Sequence, residues 1–316
     1  MIKTASVKIA VLIYEIMQVD NLPLVSVVCL SYNQEKFVER CLTSVAIQNY
    51  PDFEIIFIDN NSPDQSFEIG LATLKRFPVK YHAFKTTQNL GIAGGINYGI
   101  KNFATGKYIT PLACDDFWDM YNLQEKVAYF EQHPDYGMVY GNGYNYMDET
   151  KEISIYYKKP SISGWILREL LMAPPINPQG ILYRHDVLKK FNYWDQNAMV
   201  EDRDLFYKIA REYPIGYLHT PLTYYRTHSA NISKNINYMR EGNEYFFTKY
   251  EKEFPAEIKI ARMKQERFFA FVMSAASPTF TTFFKLISHY NFNWLYTKEV
   301  IRCFVLALKN ILTPKK

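Results

Sequence analysis

The spacing of apolar and polar positions switches repeatedly between a strand pattern and a helical one over the first two thirds of the chain. Residues 25–30, Val-Ser-Val-Val-Cys-Leu, form a nearly unbroken apolar run, the pattern of a strand covered on both faces. Phe37, Val38, Cys41, Leu42 and Val45 then recur at helical spacing, with Pro51 beyond them, which predicts a helix that ends before the proline. Residues 54–58 read as a second buried strand, so the order strand, helix, strand predicts a right-handed βαβ unit. Further strands are predicted at 79–84, 107–112, 137–140 and 179–183, and helices at 66–76, 89–99, 122–132, 163–172 and 200–210. Residues 148–159 read as a hairpin or extended edge, and 173–178 are too proline-rich for regular structure.

This alternation predicts an α/β fold: a mostly parallel sheet flanked by helices, over residues 25–230, with a leader at 1–24 and a helical region at 231–316. Residues 7–17 are largely apolar yet too few for a membrane span of ~20 residues, and they lack a small-residue cleavage site. They read as an amphipathic helix or a loosely ordered leader. After residue 237 the pattern is helical, with stretches at 238–253, 256–276, 280–289 and 294–312. The last sets Val300, Ile301, Phe304, Leu308, Ile311 and Leu312 on one side, with Lys298, Arg302, Lys309, Lys315 and Lys316 around them. Such a basic amphipathic helix can lie on an anionic membrane surface, and docking onto the catalytic domain or a second subunit of a homo-oligomer is the favoured reading.

Composition narrows the function classes. A chain of 316 residues with 48% hydrophobic content can bury a large core. Its net charge of +4 makes no case for nucleic acid. Cys29, Cys41, Cys114 and Cys303 show neither metal-ligand nor redox spacing. Reduced thiols and a cytoplasmic location are therefore expected, with Cys114 a small filler.

Candidate chemistry gathers at strand ends. Asp115 and Asp116 follow the strand at 107–112, where ligands of open α/β sheets sit. One can face a divalent cation, or either can cap the helix that begins near Tyr121. Asp59 ends the second strand, where a carboxylate can accept from a nucleobase N–H or ribose hydroxyl, or simply serve the turn. The loop Ser31, Tyr32, Asn33, Gln34 should lie beside it. Asn97, in a helix with glycines at 91, 94, 95 and 99, can reach a polar ligand. Those glycines do not spell a dinucleotide fingerprint; they cradle phosphate weakly or keep the helix slim.

Glu201 and Asp202 stand at the start of a helix whose Leu205, Phe206, Ile209 and Ala210 form an apolar stripe. Free backbone N–H groups and the helix dipole should keep a carboxylate there ionised, fit to accept a hydroxyl proton; both are also ordinary first-turn residues. Asp204 falls on the next face. Beyond a predicted strand, Arg226 can neutralise phosphate and His228 can complete a cation's shell.

Val25 to Asn33, Asp59 with its Asn-Asn-Ser-Pro-Asp continuation, the 89–99 helix and Gly106 to Trp118, taken in this order, resemble the inverting family 2 glycosyltransferases of GT-A fold. The resemblance covers about residues 25–230. It implies that Ser31, Tyr32, Asn33 and Asp59 hold the nucleotide of a sugar donor, that Asp115 and His228 hold Mn²⁺ or Mg²⁺, and that Arg226 closes over the diphosphate. It further implies Asp202 as the catalytic base and Glu201 as its assistant in acceptor binding. Two positions depart from the family pattern: Ala113 stands where the first acid of Asp-x-Asp falls, and Ile96 stands where many users of uridine diphosphate sugars carry Arg.

The resemblance implies direct displacement at the donor's anomeric carbon. It further implies a UDP-sugar donor, with dTDP-sugar second, and as acceptor a glycan or lipid-linked glycan of bacterial surface polysaccharide or lipooligosaccharide synthesis. A peripheral position on the inner face of the cell membrane would follow. A sugar-1-phosphate nucleotidyltransferase would carry a glycine-rich basic loop after its first strand, and Ser31-Tyr-Asn-Gln-Glu-Lys has no glycine. A non-catalytic nucleotide or carbohydrate binder on the same fold is the other alternative.

Overall fold

The computed structural model describes residues 22–172 and 176–276. Strands β1 (Val25–Ser31), β2 (Phe53–Asp59), β3 (Lys80–Lys85) and β4 (Tyr108–Ala113) lie parallel in the order β3-β2-β1-β4. Helices α1 (Val38–Ala46), α2 (Ser66–Leu74) and α3 (Gly91–Phe103) connect them. Alternate residues of β1 explain its unbroken apolar sequence: Val27 and Cys29 pack with α1 residues Cys41, Leu42 and Val45, while Val28 and Leu30 pack with α3 residues Ala93, Ile96 and Ile100. Both faces are buried, so neither needs polar positions.

Beyond β4 the sheet becomes mixed. Strand β8 (Leu182–Arg184) joins β4 antiparallel and β6 (Met138–Met147) joins β8 antiparallel. Strand β9 (Ile215–Thr227) runs parallel to β6, β5 (Phe117–Trp118) pairs antiparallel with β9, and β7 (Ile153–Ile155) pairs with the free side of β6. The mostly parallel arrangement thus holds for the first half of the sheet. Strand β6 runs seven residues past the expected Tyr140, through Gly-Asn-Gly-Tyr-Asn-Tyr-Met. A bulge between Gly141 and Gly143 absorbs the mismatch with β9. A Cβ on Gly143 would lie 2.7 Å from the backbone oxygen of Thr223, so only glycine fits there.

The other helices are α4 (Asn122–Gln132), α5 (Leu167–Met172), α6 (His185–Lys190), α7 (Glu201–Ala210), α8 (Ile236–Tyr250) and α9 (Pro255–Ala276). A third apolar cluster joins Leu171 of α5 and Tyr207 of α7 to Phe246, Phe247 and Tyr250 of α8 and Ile258 and Ala261 of α9. Cys29, Cys41 and Cys114 are free and buried. Among the described residues no helix is long and apolar enough to cross a membrane. The expected leader helix at 7–17, the helices at 280–289 and 294–312, and Cys303 lie outside the described residues.

Candidate active site

The carboxyl ends of β2, β1 and β4 lie side by side, with Ser31 opposite Asp59 and Leu30 opposite Ala113. Asp59 is wholly buried; its Oδ1 accepts from the Ser62 N–H at 2.8 Å, and its Oδ2 has no partner. Ser31 Oγ beside it is buried and unpartnered too. Tyr32 and Asn33 stand exposed on the loop that follows, with Asn33 in the left-handed region at φ 56°. That loop is tied to the one after β2: the N–H groups of Asn33, Gln34 and Glu35 donate to Ser62 Oγ, Ser66 Oγ and Asp64 Oδ2.

Asn60, which sequence reasoning passed over as a turn residue, is the junction to α3. Its Oδ1 accepts from the Leu90 N–H, and its Nδ2 donates to Asn89 Oδ1 and the Gly91 carbonyl. Glycine at 95 lets the helix approach, since a Cβ there would lie 2.5 Å from Leu30 Cδ1. Gly95 and Gly99, whose added Cβ atoms would meet Leu30, Val28 and Ile58, keep the helix slim against β1 and β2.

Past β4, the two acids divide their work. Asp115 Oδ2 lies 3.1 Å from His228 Nε2, and Asp115 Oδ1 is buried without a partner. The His228 ring rests on Phe37 with centroids 4.8 Å apart. Asp116 is buried and accepts the Arg226 backbone N–H at 2.7 Å. Burial and the neighbouring Asp115 push its carboxyl well above the ordinary carboxylate range. Neither acid caps α4, which has no side-chain cap; Asp119 Oδ1 accepts the Tyr121 N–H just before it.

Arg226 does not take the role expected of it. Together with Tyr224 it lies within β9, which ends at Thr227, so the expected post-strand loop starts only at His228. Its guanidinium is buried, paired with Asp148 Oδ1 at 2.6 Å, and donates through Nε to the Asp115 carbonyl at 2.6 Å. The rings of Phe37, Tyr146 and Phe117 surround it at 4.8, 5.1 and 5.3 Å. A guanidinium so committed braces the acidic loop rather than reaching for phosphate. Asp148 and Phe37, both missed in the sequence, complete that brace.

Glu201 and Asp202 open α7, which has no side-chain cap. Expectation had the helix terminus keeping them ionised, but burial outweighs it. Desolvation, with the Asp202 charge second, pushes Glu201 up to about 8. Desolvation pushes Asp202 up to about 6, against the pull of the Trp194 indole N–H that donates to Oδ1 at 2.9 Å. Burial and mutual repulsion thus raise both carboxyls, and the two titrate as one pair.

Asn97 is also reassigned. It is buried, its Nδ2 donates to the Trp194 carbonyl at 2.8 Å, and its Oδ1 accepts the Trp194 N–H at 3.2 Å. Both ends of the amide are spent on Trp194, so it serves that residue rather than the ligand. A continuous chain of contacts thus runs from Asp59 and Asn60 through α3 to Trp194 and Asp202. Asp204, by contrast, pairs with Lys208 and Lys249 and accepts from Tyr250 Oη, which binds α7 to α8.

The family model described as glycosyl transferase family 2 matches residues 26–199, more than half of the chain. An uncharacterized glycosyltransferase of Rickettsia felis is 24% identical over 242 residues, 74% of this chain and 39% of that protein. Another from Haemophilus influenzae is 25% identical over 236 residues, 71% of each. Poly-beta-1,6-N-acetyl-D-glucosamine synthase of Staphylococcus epidermidis is 31% identical over 184 residues, 56% of this chain and 43% of that one. The chain spans about two fifths of the Rickettsia felis relative.

Two solved structures share the fold. A mannosyltransferase from Pyrobaculum calidifontis, in complex with GDP-Man and Mn²⁺, superposes with a TM-score of 0.61 at 16% identity over 99% of this chain and 97% of that one. Staphylococcus aureus TarS residues 1–349, in complex with UDP-GlcNAc, gives 0.54 at 15% identity over 91% of each. The fold is that of the GT-A glycosyltransferases, and the chain belongs to glycosyl transferase family 2.

Proposed function

We propose that this glycosyltransferase moves a sugar, with inversion, from a nucleoside diphosphate donor to a hydroxyl of a glycan or lipid-linked glycan. The observation that carries the reading is the set of buried oxygens at adjacent strand ends, Asp59 Oδ2, Ser31 Oγ and Asp115 Oδ1, none with a partner. Buried polar atoms are ordinarily satisfied, and these are acceptors, so they suit ligand N–H and O–H groups and a cation. A UDP-sugar is the first candidate donor and a dTDP-sugar the second.

Asp115 and His228 would hold Mn²⁺ or Mg²⁺. Their donor set fits a cation that draws its other oxygens from diphosphate and water; among the described residues no group of three or more His, Cys, Asp or Glu forms a fuller cage. When bound, such a cation neutralises charge on the departing diphosphate. The remaining work belongs to side chains. Asp59 accepts from the base or ribose, and Arg226 and Asp116 keep the acidic loop in place. Asp202 takes the acceptor's hydroxyl proton as that oxygen bonds to the anomeric carbon, and the broken bond's electrons leave with the diphosphate. Glu201, carrying a proton, donates a hydrogen bond to orient the acceptor.

Turnover of a panel of nucleotide sugars with Mn²⁺, scored as transfer or hydrolysis, tests this. At least one donor should turn over, and Asp202→Asn should cut its rate by about 10²- to 10⁴-fold while donor binding persists. Binding of donors with no turnover by the native chain would make it a binder instead.

A further inference from the structure

We infer that Trp194 is the positioning residue of the base: its indole N–H holds Oδ1 of Asp202 so that Oδ2 alone receives the acceptor proton, and Asn97 fixes the indole. This rests on the assignment of Asp202 as base. The geometry behind it is independent of that assignment. Trp194 is almost wholly buried, yet its one polar atom is spent on a partly exposed carboxylate in the first turn of α7. Among the described residues Oδ2 carries no hydrogen bond.

The loop that delivers Trp194 is held in an unfavourable conformation. Asn192 and Tyr193 adopt φ 56° and 64°, successive left-handed residues without glycine. For tyrosine that region is costly, and such strain persists only where surrounding contacts over-determine it. Here the contacts are the two bonds to Asn97, the Tyr193 N–H to Leu188 carbonyl bond of 2.9 Å, and Tyr183 edge-on to the indole at 5.3 Å. Part of this path is the C-cap of α6, closed by the Asn192 N–H to Lys189 and Tyr193 N–H to Leu188 bonds around a left-handed Asn192; the second left-handed residue, Tyr193, goes beyond that cap and leads into the buried Trp194.

A carboxylate with one oxygen bonded to a fixed donor has one free basic oxygen and one orientation. Losing the donor frees the group to rotate and favours its protonated form. The titratable groups facing it are Glu201 on its own helix and Tyr183 on β8, while Tyr238 of α8 faces Glu201. None supplies a positive charge, so the indole is the group that offsets burial. Asn97 ties this arrangement to α3, whose first turn is bonded to Asn60 beside Asp59.

The test reads the indole directly. The chain has four tryptophans, so a ¹⁵N-indole spectrum is simple, and the Trp194 signal is the one removed by Trp194→Phe. Its Hε1 shift should titrate with a midpoint near the acidic limb of turnover and become flat in Asp202→Asn. Trp194→Phe should move that limb up by about one pH unit and lower kcat about threefold near pH 6.5, approaching tenfold below pH 5.5, with the donor KM within twofold. Benzothienylalanine at position 194 keeps the shape, lacks the N–H and should do the same if the phenylalanine variant folds poorly. A flat indole signal in the native chain, or an unmoved acidic limb in the isosteric variant, overturns the inference while leaving the base in place if Asp202→Asn is inactive. Full turnover by Asp202→Asn would instead remove the base assignment itself.

Discussion

Asp115 Oδ2 and His228 Nε2 stand 3.1 Å apart although 113 residues separate them in the chain. The contact joins the end of β4 to the residue after β9, and Phe37 from the start of α1 supports the imidazole. A cation held by this pair should couple to nucleotide binding. Thermal melting with UDP should therefore show stabilisation that needs Mn²⁺; at about 100 times Kd it amounts to ~2.7 kcal/mol. Asp115→Ala should abolish the Mn²⁺-dependent part, and His228→Ala should weaken Mn²⁺ binding about tenfold.

Strand ends were legible in the sequence because β1, β2 and β4 are largely buried on both faces and polar residues end or follow them. Asp59 and Asp115 could be picked out on that basis, and Asp202 from its place in the first turn of a predicted helix. The second half of β6 could not: Gly141 to Met147 carries no period, and its strand state comes from pairing with β9 about 80 residues away. Charge states were equally hidden. Helix position alone argued for ionised Glu201 and Asp202, whereas their burial comes from tertiary packing that no local pattern records. Trp194 sits in the polar run Asn-Tyr-Trp-Asp-Gln-Asn, where the lone large apolar residue was the only available signal.

The Glu201 and Asp202 pair sets a pH profile. Both carboxyls are raised, to about 8 and about 6. Activity should climb as the pair loses its first proton through about pH 6 and fall as it loses the second through about pH 8. A bell-shaped kcat/KM curve with these limbs is the expected measurement, the two values belonging to the pair. A single rising limb that continues past pH 9 would exclude the protonated role of Glu201.

Glu201 also makes stability depend on pH. Its folded form prefers the proton, so its contribution is complete below the unfolded value near 4.5 and is lost as pH rises to about 8. Within that window each pH unit costs at most about 1.4 kcal/mol. Glu201→Gln cannot ionise and should melt above the native chain at pH 8.5, with little difference at pH 5.

Asp148 and Arg226 offer a test of the brace. Burial alone would push Asp148 up, but the guanidinium and Lys151 hold it below the ordinary carboxylate range. Asp148→Asn keeps the shape and removes the charge opposite a buried arginine. Because Arg226 also holds the Asp115 carbonyl, the loop should loosen, and UDP affinity with Mn²⁺ should fall roughly three- to tenfold by calorimetry, an effect of about 1 kcal/mol. Unchanged affinity would show that the aromatic rings and the bonds to Asp115 and Asp116 hold Arg226 without the Asp148 charge.

Two acids on one helix should behave oppositely. Asp202, the proposed base, adds little to the fold, since its carboxyl is raised by desolvation. Asp204 is buried, and although burial pushes its carboxyl up, Lys208, Lys249 and Tyr250 pull it below the ordinary range. Its contribution is therefore present above the unfolded value near pH 4 and is lost as pH falls. Asp204→Asn leaves two ammonium groups short of a partner. Breaking a buried pair costs about 3–5 kcal/mol, and the partial exposure of both lysines, with Asp195 still near Lys249, places this one at roughly 2–3. Differential scanning at pH 7 should show a clear drop in Tm for Asp204→Asn with kcat nearly native well below the melt. Asp202→Asn should show the reverse, a Tm at or above native with turnover lost, because neutralising a partly buried carboxyl relieves desolvation while removing the proposed base.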